Sequence, residues 1–467
     1  MGSHIPRSAW LVAISAATLG VIYGYDSSNV AGAQLYFQDY FGLQGNDETV
    51  ETIVTATVYG ELLGVLAGGF IINRLGRKPT IAGVACGYVV FCLASAFAVS
   101  PVMLGVARLL LGVMIGVSLV AVPIFVAESM PARIRGATLV AYQVAAVVGI
   151  IAGYLAALAL SGLTESVSWR IMLGLAALPA VLLIPALLRL PETARYLVLR
   201  GRIDEARASL RRTTPAEDVE AVLAGIQTAL ATEGRGHLRE MFRKPYLRAT
   251  VFVVGLGFFI QITGINATVA YGPRIFQAMG IETKAQSILM STLVQCIALV
   301  AVLASMSVVD RWGRRPILLT GITIMIASQL LMAVTFATQQ GDAFSPTQVV
   351  LGFLGLAGIN IGFVFGFGAL VWVYSSESFP SRMRGYGSSA MLGSDLLANI
   401  IIVQFFLTVL GTIGGAWSFG IFAILAMLAW VFVWRLAPET KGRELESIQG
   451  YWENGGKWPA PEEKGTR

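Results

Sequence analysis

The chain has 467 residues, of which 56% are hydrophobic and 13% charged, about half the share of charge found in soluble domains. The formal net charge is +6, but the basic residues fall in short clusters between apolar stretches, which argues against a nucleic-acid-binding face. Only two histidines are present, His4 and His237, with no metal-spaced His or Cys set and no phosphate-cradling loop. No enzyme activity, metal or cofactor is expected.

Apolar segments of about 20 residues, the length that crosses a hydrocarbon core, occur at 9–32, 50–72, 80–98, 103–127, 138–161 and 169–190. Six more follow at 248–278, 286–309, 316–337, 347–376, 386–410 and 414–435. Lipid offers the backbone no hydrogen-bond partner, so the pattern predicts twelve membrane-spanning helices. The first segment is long, holds Asp26 and lacks a small-residue cleavage pattern, which fits a span rather than a cleaved signal. Cys86, Cys92 and Cys296 lie inside spans and read as packing residues rather than a disulfide framework.

The loops alternate in charge. Arg74, Arg77, Lys78, Arg133, Arg135, Arg311, Arg314, Arg315, Arg382 and Arg384 occupy alternate short loops, whereas Asp39, Asp47 and Glu48 follow the first span. The positive-inside rule then predicts a multi-pass protein of the cell (inner or plasma) membrane with both termini cytoplasmic. Residues 197–246 are polar and predict short helices at 203–212 and 216–230, a cytoplasmic linker domain. The expected division is a first bundle at 8–196, the linker at 197–246, a second bundle at 247–436 and a cytoplasmic tail at 437–467.

Three motifs occur twice. Asn73-Arg-Leu-Gly-Arg-Lys-Pro79 matches Asp310-Arg-Trp-Gly-Arg-Arg-Pro316, Glu128-Ser-Met-Pro-Ala-Arg-Ile-Arg-Gly136 matches Glu377-Ser-Phe-Pro-Ser-Arg-Met-Arg-Gly385, and Pro191-Glu-Thr193 matches Pro438-Glu-Thr440. The copies are 237 to 249 residues apart, as a duplicated six-helix unit requires. Carboxylates recur beside the arginines. Arg77, Glu128, Arg135 and Glu192 in one half, with Arg314, Glu377, Arg384 and Glu439 in the other, therefore predict an ion-pair network between the halves that gates the cytoplasmic side. Simple anchoring of helix ends by the basic loops is the alternative.

These motifs resemble those of the major facilitator superfamily and, within it, the sugar porter family, over about residues 8–450. Pro191-Glu-Thr-Ala-Arg-Tyr-Leu197, Pro438-Glu-Thr-Lys-Gly-Arg-Glu-Leu-Glu446 and Gln261-Ile-Thr-Gly-Ile-Asn266 carry the resemblance jointly. It implies an all-α membrane protein with two pseudo-symmetric six-helix bundles and a helical linker, working by alternating access. It also implies proton coupling through Asp26 in Gly24-Tyr-Asp26, with Arg108 tuning that carboxylate. Gln143, Gln261, Asn266, Trp372 and Asn399 occupy the family's sugar-contact pattern, and Tyr271 the place of an outer-gate tyrosine. Carboxamides suit sugars because they both donate to and accept from hydroxyls, while an aromatic face packs the apolar side of a ring.

The chain departs from the pattern at informative places. Ile260 replaces the first of two paired glutamines, Ala298 stands near Gln295 where an asparagine is usual, and Gly366–Trp372 lacks prolines. Asp395 replaces an amide and is expected in the substrate site, where a carboxylate accepts from vicinal hydroxyls, attracts a cation and repels an acid. Glu61 stands where the family usually has a small residue. It reads either as a second proton-coupling group or as a partner for a tyrosine hydroxyl. The expected function is proton-coupled symport of a sugar or sugar-like solute, a monosaccharide or polyol. Facilitative uniport of the same solutes, or export of a small metabolite or drug, are the alternatives. The expected partners are the solute, protons and membrane lipid, with no nucleic acid, and the expected state is a monomer.

Overall fold

The structure, a computed structural model, describes residues 7–130, 132–213, 218–232, 238–339, 344–443 and 445–458. The first half comprises α1 (Arg7–Tyr40), α2 (Asp47–Leu75), α3 (Arg77–Ala96), α4 (Pro101–Ser129), α5 (Ala132–Ala159), α6 (Glu165–Leu175) and α7 (Ala177–Arg189). Four short helices follow: α8 (Ala194–Leu199), α9 (Ile203–Thr213), α10 (Val219–Thr232) and α11 (Leu238–Met241). The second half comprises α12 (Leu247–Ile262), α13 (Ile265–Ala278), α14 (Lys284–Trp312), α15 (Arg314–Ala337), α16 (Pro346–Glu377) and α17 (Ser381–Leu436), and α18 (Leu445–Glu453) closes the tail.

Nine described helical stretches are long and apolar enough to cross a membrane. One of them, Met383–Leu436, carries two spans because α17 breaks at Gly414, whose φ of 82° lies in the left-handed region. Helices α1 and α5 complete the twelve expected segments. The hydropathy of α1 is diluted by a buried polar run that includes Asp26, Ser28, Asn29, Gln34 and Gln38. The described apolar part of α5 is Val144–Ala159.

Three sequence-predicted spans differ in detail. The first is longer than 9–32, the sixth divides at Ala176 into α6 and α7, and the seventh divides between α12 and α13. That last break falls at Gly264, whose φ of +89° only glycine adopts readily. The predicted linker helix at 216–230 is observed as Val219–Thr232.

Packing repeats with the sequence. In the first half α1 lies along α5 and α2 along α4; in the second, α12 and α15 lie along α17 and α15 along α16. The halves meet where α2 faces α17 and α5 faces α14. Small residues allow close approaches of this kind, as between α2 and α4. A Cβ on Gly112 or Gly116 of α4 would sit 2.0 or 2.1 Å from the carbonyl oxygen of Thr57 or Glu61 on α2. Backbone contact of this kind is how membrane helices gain dispersion energy without a hydrophobic drive. Here it fixes α2 against α4, and with them the polar residues each carries.

Candidate transport site and gates

A cavity of about 60 Å³ opens between the halves, bounded by Asp26 and Ser27 of α1, Thr57 and Glu61 of α2, Arg108 of α4, Asn266 of α13 and Asn399 of α17. Asp26 and Arg108 are each 2% exposed. The Arg108 Nη1 donates to Asp26 Oδ1 at 2.6 Å, a charge-assisted bond in low-dielectric surroundings. Removing one member of such a buried pair costs about 3–5 kcal/mol, because the other charge is left uncompensated. Across the cavity, Asn266 Nδ2 donates to Asn399 Oδ1 at 2.8 Å. The two amides satisfy each other here and can exchange that bond for substrate hydroxyls.

Glu61 is 5% exposed and faces the cavity. It lies near enough to Asp26 and Asp395 to feel both charges. Asp395, on α17, is faced by the carboxamide of Gln261, whose Oε1 is buried without a partner. Gln261 and Asp395 are thus brought together beside the cavity rather than in its lining. Trp372 is 36% exposed and lies outside the cavity lining, and the side chain of Gln143 lies outside the described residues. Gln295 does not fill the place left by Ala298 as a cavity group. It donates to Asn360 Oδ1 at 3.1 Å, and Asn360 donates to Thr268 Oγ1 at 3.2 Å, a network that ties helices together within the second half.

At the end of the bundle that carries the linker helices, the repeated motifs form matching clusters. Arg77 grips Glu128 through two bonds of 2.9 Å, and Thr193 Oγ1 donates to the same carboxylate at 2.6 Å. Glu192 accepts from the backbone N–H of Arg77 and Lys78, both at 3.2 Å, so it caps the N-terminus of α3. The second half repeats the arrangement. Glu439 accepts from the N–H of Arg314 at 3.0 Å and of Arg315 at 3.1 Å, capping α15, while Glu377 faces Thr440, Arg314 and Arg384.

Burial raises the carboxyl groups of Glu192 and Glu377 above the usual glutamate range. The turn glycines Gly76 and Gly313 have φ of +104° and +100°, and a Cβ there would lie 2.3 and 2.7 Å from the capping carboxylates. These described contacts run within each half, where the sequence led us to expect a network between halves. The helix-end carboxylates find backbone N–H donors and the nearest arginine of their own repeat first. The side chain of Arg135 lies outside the described residues.

Described bonds join the halves at the opposite end. Glu51 of α2 accepts from the Thr408 N–H at 2.9 Å and the Thr408 hydroxyl at 2.5 Å. Lys284 bonds Asp39 and, at 2.8 Å, Glu165. Arg274 bonds Gln38 and lies 3.7 Å from Asp47. Gln34 donates to the Ala270 carbonyl at 2.7 Å and Tyr154 to the Val269 carbonyl at 2.5 Å. Tyr271 is fully buried, stacks on Phe406 and donates to the Val403 carbonyl at 2.6 Å, and its hydroxyl also lies beside Thr55 of α2 in the other half. These bonds between the halves lie at or beyond the cavity, away from the linker. They hold the halves together on that side of the cavity.

Sequence reasoning passed over Thr57, Glu51, Gln34, Arg274 and Lys284. Thr57 precedes Glu61 by one helical turn, which was the available signal for a shared face. The others lie near the ends of apolar segments, where polar residues are ordinary and nothing local marks a partner in the other half.

Two repeated helical bundles around a polar cavity, held together on one side, define an alternating-access membrane carrier rather than an enzyme. The chain belongs to the sugar (and other) transporter family, whose model matches residues 12–452. It is 31% identical to polyol transporter 5 of Arabidopsis thaliana over 95% of this chain and 88% of that protein. It is 30% identical to the galactose-proton symporter of Escherichia coli strain K12, covering 94% and 93%. The inward open xylose transporter of E. coli shares its fold, with a TM-score of 0.82 at 22% identity over 95% of this chain and all of that one. The fold expected from the major facilitator resemblance is the one observed.

Proposed function

We propose that the protein carries a sugar or polyol together with protons across a cell membrane, by rocking of its two halves about the central cavity. One observation supports this most: the buried Asp26–Arg108 pair shares its cavity with the hydroxyl-compatible pair Asn266 and Asn399. Protonation of Asp26 removes one charge of the pair and frees Arg108 to shift, so proton binding and the packing of α1 on α4 are linked. The named relatives, a polyol transporter and a galactose-proton symporter, support the same class of solute and coupling.

In this reading the linker end faces the cytoplasm with both termini, and the conformation is sealed outside. A cavity of about 60 Å³ has room for only a few waters, at roughly 10–15 Å³ for each, so loading a sugar-sized solute requires the walls to separate. Gln261, Asp395, Gln143 and Trp372 then complete the solute contacts as the halves move, and Tyr271 serves the outer gate. The Arg77–Glu128–Glu192 and Arg314–Glu377–Glu439 clusters, with Arg135 and Arg384, brace the cytoplasmic ends of the two bundles. The protein acts as a monomer in lipid.

Addition of solute to lightly buffered cells expressing the protein tests the coupling. Transient alkalinisation of the medium by a sugar or polyol is the expected result. Uptake with no proton movement would make the protein a uniporter, and acidification would make it an exchanger.

A further inference from the structure

Glu61 is a carboxylate without a cation in the wall of a membrane-buried cavity. Arg108, the cation bordering that cavity, is engaged by Asp26 at 2.6 Å. Asp395, the other nearby carboxylate, has the Gln261 amide before it rather than an arginine or lysine. With Asp26 and Arg108 paired to each other, Glu61 and Asp395 are two carboxyl groups beside the solute path with no cation of their own. A carboxylate there is stable only beside a positive group, and a bound solute can supply one.

A second observation gives that occupant a place. Thr57 lies one turn before Glu61 on the same face of α2, is 4% exposed, and its Oγ1 has no hydrogen-bond partner although the residue lines the cavity. Its backbone is locked against Gly112, where a Cβ would lie 2.0 Å from the Thr57 carbonyl oxygen. The strip is therefore held in place by the α2–α4 contact. Two unbonded acceptors, a carboxylate and a hydroxyl, thus stand a turn apart and face Asn266 and Asn399 across the cavity. An ammonium group offers three donors and one positive charge. It can bond both acceptors at once while the amide pair takes hydroxyls from the same molecule.

We infer that Thr57 and Glu61 form a subsite for a protonated amine, so that the preferred solute is an amino sugar or aminopolyol. This rests on the reading of the cavity as the solute site, and it replaces the second proton-coupling role that the sequence suggested for Glu61. The charged groups facing Glu61 are Asp26 of α1, Arg108 of α4 and Asp395 of α17, with the Tyr23 and Tyr142 hydroxyls from α1 and α5. None of these supplies a free cation in place of the ligand.

The test is a competition assay in proteoliposomes containing the full chain. Exchange of a labelled neutral polyol is inhibited by glucosamine, N-acetylglucosamine and glucose, and by glucamine against glucitol. The ratio of inhibition constants is read rather than the rate, so a general loss of turnover cancels. The wild type is expected to favour each amine over its hydroxyl or acetylated counterpart by about tenfold or more, the worth of a hydrogen bond to a charged group. Glu61→Gln should bring the ratio close to one, Thr57→Val should lower it, and Glu61→Asp should retain most of it.

Equal inhibition by amine and neutral analogues in the wild type overturns the inference, as does an unchanged ratio in Glu61→Gln. A change in protons carried per neutral solute in Glu61→Gln, without a change in ratio, makes Glu61 a proton site and also overturns it. If Glu61→Gln does not fold, the Thr57→Val and Glu61→Asp ratios decide in the same way. The underlying reading fails separately, if no sugar, polyol or amine analogue is exchanged at all.

Discussion

In the proposed orientation, we expect the strength of the outer seal to be concentrated at Glu51 rather than at the more conspicuous lysine. Glu51 is 1% exposed and accepts two bonds from Thr408 across the interface between halves. A hydrogen bond to a charged group contributes about 1.5–3 kcal/mol. Glu51→Gln keeps one acceptor and loses the other, so we expect the sealed state to lose about 2 kcal/mol, roughly a 30-fold shift toward the outward-open state. Lys284 is 25% exposed at its side chain, with partners Asp39 and Glu165 at 27% and 54%. Such partly exposed pairs typically contribute about 0.5 kcal/mol each, about 1 kcal/mol for the two, so Lys284→Met should shift the equilibrium only about five-fold. Spin labels on α2 and α17 beyond the cavity, read by pulsed dipolar spectroscopy, report the populations. A larger opening from Lys284→Met than from Glu51→Gln would refute the ranking by burial.

Gly313→Ala should destabilise the protein by about 1–3 kcal/mol, since its backbone lies in a region that only glycine adopts readily; thermal melting checks this, and Gly83→Ala, with open space at its Cβ, is the control. Burial raises the Glu192 carboxyl above its ordinary value, so its contribution to stability is full below the ordinary glutamate range and is lost as pH rises through the raised value. Relative to the wild type, Glu192→Gln should therefore gain stability on going from acid to neutral pH, measured by melting at several pH values. Asn399→Leu leaves the Asn266 Nδ2 without its partner at 2.8 Å and removes a solute contact. The half-saturation concentration for uptake should rise about tenfold or more, since unpaired buried polar groups cost about 1–3 kcal/mol.

The two-half fold was legible because lipid imposes a length and polarity rule on each span, and because the loop motifs recur at a near-constant separation. The Asp26–Arg108 pair was legible by resemblance and because intramembrane charges are rare. The pairing inside the gate motifs was not. Sequence shows that Glu128 and Arg77 recur with Glu377 and Arg314, but not that helix N-termini at Arg77 and Arg314 present free N–H groups to Glu192 and Glu439. Those caps depend on the positive φ of Gly76 and Gly313, which turn the chain so that the N–H groups face the carboxylates. Equally hidden were the contacts of Glu51, Lys284 and Arg274, because they join residues more than 100 positions apart across a rocking interface that no local pattern records.

Accumulation driven by a pH gradient bears most directly on the proposed coupling. In proteoliposomes with an imposed gradient of about one pH unit, one proton per solute supports about tenfold accumulation. The wild type is predicted to reach that ratio with its preferred solute, and Asp26→Asn to equalise the two sides, with exchange of labelled solute showing that the carrier is folded. Accumulation by Asp26→Asn equal to that of the wild type would contradict coupling through the Asp26–Arg108 pair.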